Sequence, residues 1–145
     1  MDWTGTITTL DRLSTIPNVV KGLKVKPHTC NEMQSVVDLS RFDFVRKIDI
    51  GQHSFQNVDF LMMNGLNKLT SFEMEEGSFN NTHKIMVGSN SLNAMSVLNL
   101  QLFHSVKEVT VGEGSMNAVA RVLASGLTNL THFTVHNSSL EQATE

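Results

Sequence analysis

Apolar and polar residues follow the same order in six short stretches of this chain. Each stretch starts with an apolar residue (a threonine in one copy), leaves two positions, and continues with two apolar residues separated by a single residue. A short turn follows, and it ends in a hydroxyl residue and a larger core-type residue. The stretches are residues 20–30, 45–55, 69–79, 82–92, 106–116 and 130–140. Six copies in 145 residues predict a repeat protein.

Each copy contains an apolar triplet with the period of two that is typical of a β-strand, such as Ile48-Asp49-Ile50. The central apolar residues of these first-series triplets are 25, 24, 13, 24 and 24 residues apart, at Leu23, Ile48, Phe72, Ile85, Val109 and Phe133. A second apolar series lies about twelve residues after the first, at positions 36–37, 60–62, 98–100 and 122–123. The pattern predicts a β-rich solenoid with coils of about 24 residues and two short parallel strands in each coil.

The 13-residue interval between Phe72 and Ile85 interrupts this spacing. If every coil keeps two strands, the chain slips there by half a coil. Either the two strand types exchange sides after the slip, or residues 79–84 form a shortened coil. We favour the exchange, because the two strand types have similar apolar patterns.

The turns after the triplets align column by column. The first column suits the left-handed backbone region and contains His28, His53, Gly77, Asn90, Gly114 and Ser138. The second column is a hydroxyl that we expect to bond backbone groups within the turn, at Thr29, Ser54, Ser78, Ser91, Ser115 and Ser139. The third column is a core residue, at Cys30, Phe55, Phe79, Leu92, Met116 and Leu140. Asparagine follows in four copies, at positions 31, 80, 93 and 117, where we expect it to hydrogen-bond the bend.

The ends of a solenoid expose an apolar cross-section that something has to cover. We expect residues 1–18 to form an N-terminal segment and candidate cap with Trp3 as a lid, and residues 19–145 to form a single repeat solenoid domain. A partly regular start is the alternative. Residues 117–127 contain three alanines, which favour one or two helical turns. Five mostly polar residues follow the last copy, which predicts self-association through the C-terminal coil, a cut from a longer chain, or a capping partner.

Composition narrows the class of partner. The formal net charge of −3 argues against a general nucleic-acid binder. No stretch is long and apolar enough to span a membrane, so we expect no membrane insertion. Cys30 is the single cysteine, and His28 and His53 do not complete a metal site with it, because Cys30 points inward. We therefore expect no metal, no cofactor and no catalytic residues.

The turns that end in Ser-Phe, at positions 51–55 and 76–79, and the linking segments at 57–60 and 65–69 resemble leucine-rich-repeat proteins of the BspA-like kind. The resemblance covers about residues 16–140. The chain departs from that pattern where Ser54 and Ser78 replace the Ala or Cys that many relatives have before the Phe, and where Val, Ile or Phe replaces Leu. The resemblance implies a module that recognises proteins or surfaces without catalysis.

The outward residues of the first strand series form a candidate binding face. They are Lys24, Asp49, Glu73, Met86, Thr110 and Thr134, with Lys47, Ser71, Lys84, Glu108 and His132 on the flank. Charge at one end with Met and Thr at the other favours a protein partner. The sequence therefore predicts a non-catalytic module for protein–protein recognition.

Three alternatives stay open. The chain could be a structural solenoid subunit that assembles through its open ends. It could be a polysaccharide-acting β-helix enzyme, in which the row Lys24, Asp49 and Glu73 supplies a general acid and base. The face could also be a solvated sheet surface without a partner.

Overall fold

A computed structural model of the chain describes residues 4–124 and 126–136, without the side chain of Gln34. The elements along these residues are β1 (Thr4–Ile7), α1 (Leu10–Thr15), β2 (Gly22–Val25), β3 (Gln34–Asp38), β4 (Lys47–Ile50), β5 (Val58–Met63), β6 (Ser71–Met74), β7 (Lys84–Val87), β8 (Val97–Asn99), β9 (Glu108–Val111), β10 (Arg121–Leu123) and β11 (His132–Val135). The predicted lid Trp3 and the last turn residues Ser138, Ser139 and Leu140 lie outside the described residues.

The strands build a parallel β-solenoid of about five turns. Sheet A contains β1, β2, β4 and β6 in that order, sheet B contains β3, β5, β7, β9 and β11, and β8 pairs with β10 in sheet C. In sheet A, Leu23 lies beside Ile48 and Ile48 beside Phe72, so one coil takes 24 or 25 residues. The predicted fold class, a solenoid with two short parallel strands in each coil, is confirmed.

The strands form where apolar residues alternate with other residues, so that the apolar side chains lie on one face of the strand. In β4, Ile48 and Ile50 are buried while Lys47 and Asp49 face outward. The inward side chains of all three sheets join a single hydrophobic core between them. From β2 onward, each coil therefore contributes one strand to each side of a shared core.

The predicted half-coil slip is present, and the strand types exchange sides there. β7 carries a first-series triplet, yet it pairs with the second-series strand β5, so that Ile85 lies beside Leu61. Sheet B continues through the slip, whereas sheet A ends at β6 and β8 belongs to sheet C. On that side the step from Phe72 to Leu98 is 26 residues, two more than the step from Leu98 to Val122. The exchange keeps one sheet continuous and interrupts the other.

Each of the five repeat turns that the structure describes contains two left-handed residues with the hydroxyl residue between them. The first is the predicted column, with φ of 59° at His28, 54° at His53 and 53° at Asn90. The second is the core residue itself, which the sequence pattern did not predict. This group has φ between 52° and 59° and contains Cys30, Phe55, Phe79, Leu92 and Met116.

The hydroxyl column bonds buried backbone groups, as predicted, but mostly those of the neighbouring coil rather than those of its own turn. The Ser54 hydroxyl donates to the Lys26 carbonyl at 3.0 Å and accepts from the Thr29 amide at 3.4 Å. The Ser54 amide in turn donates to the Ser78 hydroxyl at 3.3 Å. Fully buried hydroxyls with backbone partners also occur at Ser78, Ser91 and Ser115. The hydroxyls therefore link each coil to the next one.

Aromatic rings stack along the core beside the repeat turns. The ring centroids of Phe55 and Phe79 are 4.9 Å apart with nearly parallel planes, so these two residues of the predicted core column stack on one another. Phe103 continues the stack, 5.6 Å from Phe79. Because Phe79 precedes the slip and Phe103 follows it, these two rings join the two parts of the core.

The N-terminal segment is regular from Thr4 onward. β1 pairs in register with β2, and α1 lies where a second strand would follow. Thr9 caps the helix by accepting from the Arg12 amide at 3.1 Å. Ile16 is buried at the end of the helix. The partly regular start, which was the alternative to a simple cap, is therefore present.

The predicted helical turns at residues 117–127 are wrong. Residues Arg121–Leu123 form β10, which pairs with β8 so that Val122 lies beside Leu98. Strand pairing along the solenoid overrides the helix propensity of the alanines, because propensity is a weak preference and pairing joins this segment to the preceding coil.

Candidate protein-interaction surface

The structure divides the predicted binding face between two sheets. Neighbouring strands of sheet A carry Lys24, Asp49 and Glu73. Neighbouring strands of sheet B carry Met86, Thr110 and Thr134. The flank divides in the same way, with Lys47 and Ser71 on sheet A and the other three residues on sheet B. The expectation of one continuous face across all six residues is wrong, because the half-coil slip moves the first-series strands to the other side.

Sheet A presents a polar outer face. Lys47 Nζ lies 3.6 Å from Asp49 Oδ2, and both side chains are well exposed, so this ion pair contributes little stability. A shallow groove of about 550 Å³ runs along the strand ends, between Lys24, Asp49 and Glu73. These carboxylates are open to water, whereas the acid of a glycosidase works from a shielded pocket. The geometry of this row does not favour acid–base catalysis.

Sheet B presents a different outer face, on which apolar side chains lie next to one another. The strand register gives two outward columns. The first column contains Val36, Phe60, Lys84, Glu108 and His132. The second column contains Asp38, Met62, Met86, Thr110 and Thr134. We call the six residues on β3, β5 and β7 the sheet B patch: Val36, Asp38, Phe60, Met62, Lys84 and Met86.

Four members of the sheet B patch are apolar, and their outward side chains are partly exposed. Val36 is 36% exposed, and Phe60, Met62 and Met86 are each partly exposed. The residues between them in sequence point the other way and are buried in the core, at Val37, Leu61 and Ile85. The alternation therefore fixes the outward orientation of the patch.

The two charged members lie at the margin of the patch. The Lys84 ammonium is 5.0 Å from the centroid of the Phe60 ring, which lays the aliphatic part of Lys84 along the patch. Asp38 Oδ1 accepts from the Ser40 amide at 2.9 Å and also from the Ser40 hydroxyl. One positive and one negative charge are thus held beside the apolar side chains.

Sequence reasoning missed Phe60 and Met62, which it counted with the core series. The signal was present in the run of four apolar residues from Phe60 to Met63. With a period of two, such a run cannot point to one side only, so two of its members have to face outward. A four-residue apolar run in a strand predicts apolar surface on both faces.

The cysteine and the stacked histidines of the repeat turns lie where they serve packing and turn structure. Cys30 is buried, and its burial raises the pKa of the thiol to about 11. The rings of His28 and His53 stack at 5.1 Å as successive turn residues. Across residues 4–124 and 126–136, no three or more His, Cys, Asp or Glu side chains come close enough to hold a metal ion.

Comparison of the chain with protein-family models, curated proteins and solved structures finds no match. The resemblance to BspA-like leucine-rich repeats therefore rests on the turn and linker residues alone. Within the part of the chain that the structure describes, no helix has the length and apolar character needed to cross a membrane.

Proposed function

We propose that this chain is a non-catalytic binding module that recognises another protein through the outer face of sheet B. The observation that carries the proposal is the sheet B patch, where apolar side chains adjoin one another on an outward sheet face. The outer face of sheet A differs from this patch, because none of its outward positions carries an apolar side chain. The resemblance to leucine-rich-repeat proteins supports the same reading, since it implies recognition of proteins without catalysis.

The composition of the sheet B patch suits a protein partner. Burying apolar surface favours association, although the area buried does not convert directly into affinity. Met62 and Met86 have flexible, polarisable side chains that adapt to the shape of a partner. Asp38 and Lys84 add charges that fix orientation more than affinity.

A capture experiment tests this proposal. Tagged chain is incubated with an extract of its source cells, beside a Met62→Lys variant and a matched Thr6→Lys variant on the outer face of sheet A. We expect a protein that the parent and Thr6→Lys capture and that Met62→Lys loses, while all three chains melt alike. Equal capture by the two variants would contradict recognition through sheet B.

A second candidate function is assembly through the C-terminal coil, which the exposure of β11 favours. Phe133 is 37% exposed and Val135 is 41% exposed, although their register partners Val109 and Val111 are buried. Light scattering across a concentration series tests this candidate. Val135→Lys should lower the mass of any assembly that forms through β11, and a parent mass that stays monomeric throughout would exclude it.

A further inference from the structure

The sheet B patch has an internal arrangement that suggests its partner. Three neighbouring strands, about 4.8 Å apart, each carry two outward residues about 6.7 Å apart along the strand, so the six residues form a compact grid. Val36 and Met86 occupy one pair of opposite corners. Asp38 and Lys84 occupy the other pair. Phe60 and Met62 lie between them on the middle strand.

We propose that the partner of the sheet B patch is a second copy of this chain, which packs face to face through the same patch about a two-fold axis. This inference rests on the proposed function of sheet B. In a face-to-face pair the two-fold axis lies in the plane of contact, and a given patch then meets itself. An axis through the centre of the grid that is perpendicular to the line from Asp38 to Lys84, and so runs close to the line from Val36 to Met86, exchanges the other two corners. Asp38 of each copy then lies opposite Lys84 of the other copy.

The remaining simple axes fit less well. An axis along the strands sets Asp38 opposite Met86 and Val36 opposite Lys84. An axis across the strands sets Asp38 opposite Val36 and Lys84 opposite Met86. Both would bury a charge against an apolar side chain. An axis along the line from Asp38 to Lys84 sets Asp38 opposite Asp38 of the other copy, and Lys84 opposite Lys84. Only the axis near the line from Val36 to Met86 therefore pairs opposite charges.

The favoured axis also agrees with how sheets pack. The strands of the two copies cross at a steep angle, as in orthogonal sheet packing. Lys84 already extends over the apolar surface, above Phe60, and Asp38 is held by Ser40. The Asp38 carboxylate is thus fixed before association, and the Lys84 ammonium has only to turn from Phe60 towards the partner's Asp38. Six side chains bury less than the roughly 800 Å² per partner of a standard interface, so we expect a weak, concentration-dependent dimer.

Sedimentation equilibrium of the full chain over a wide concentration range tests the inference by charge reversal. The parent should approach a dimer. Lys84→Glu or Asp38→Lys alone should weaken the dimer about tenfold, because each places like charges opposite one another twice. The double variant Asp38→Lys with Lys84→Glu should regain most of that loss. Lys24→Glu, the same charge change on sheet A, should leave the dimer unchanged.

Several results would overturn the inference, and melting curves show that each variant is folded. A parent that stays monomeric at every concentration overturns it. So does a double variant that associates no better than the two single variants. Association that survives all patch variants and disappears with Val135→Lys belongs to the C-terminal coil instead. If the parent is monomeric but captures a different protein that Met62→Lys loses, this inference fails while the proposed function stands.

Discussion

At the scale of single residues, the buried hydroxyls make the repeat turns compatible with a dry core. A turn with two left-handed residues directs amides and carbonyls inward, where water does not satisfy them. Serine has a short side chain that both donates and accepts, so Ser54 and Ser78 each serve a carbonyl and an amide of neighbouring segments. One hydroxyl therefore stabilises the turn and the stacking of coils together.

We expect Ser78→Ala to lower the free energy of unfolding by about 1–3 kcal/mol, because the Gly51 carbonyl and the Ser54 amide would lose their buried partner. Urea unfolding measures the change. Ser35→Ala at an exposed strand position is the control and should be nearly neutral. A Ser78→Ala variant as stable as the parent would mean that other groups satisfy the turn.

Cys30 occupies the core column in place of phenylalanine, and its thiol should be inert in the folded protein. With a pKa raised to about 11 by burial, the thiol stays protonated until the pH approaches that value. At pH 8 we expect iodoacetamide to modify Cys30 in urea and to leave it unmodified in native buffer, as followed by mass spectrometry. Rapid modification of the native chain would show that the thiol is accessible.

At the scale of elements, the strands, the repeat turns and the half-coil slip could be predicted from the sequence. They depend on the local alternation of apolar and polar residues and on residue types that recur in every coil. The sequence did not predict which side of β5 Phe60 and Met62 take, since an apolar run fits both sides. It also did not predict the left-handed backbone at Phe55, because nothing in a phenylalanine side chain favours that region. That conformation is imposed by the turn, which has to bring the ring back into the core.

The aromatic stack should contribute strongly to the free energy of unfolding. Phe79 lies between Phe55 and Phe103, so Phe79→Ala would leave a cavity and separate the rings on either side of it. We expect a loss of about 3–5 kcal/mol in the free energy of unfolding. Phe44→Ala is the matched control, because Phe44 is 44% exposed and its truncation should cost much less. Equal losses at the two positions would show that the stack is not a principal source of stability.

At the scale of the whole molecule, the half-coil slip leaves a seam on one side of the solenoid. Sheet B crosses the slip through β7, which pairs with both β5 and β9. On the other side β6 and β8 belong to different sheets. A narrow apolar crevice lies there, between Phe72, Leu98 and Phe103. Sheet B and the aromatic stack therefore hold the two parts of the solenoid together.

This seam should be visible in native-state hydrogen exchange. Among the strands that the structure describes, β8 pairs with β10 alone, whereas β7 is paired on both sides. Local opening should therefore expose the amides of Val97–Asn99 more often than those of Lys84–Val87. We expect faster exchange in β8 by mass spectrometry or NMR. Phe103→Ala, which removes the ring that bridges the seam, should accelerate exchange in β8 and leave β3, far from the seam, at its parent rate. Protection of β8 equal to that of β7, unchanged by Phe103→Ala, would show that the two parts open as one unit.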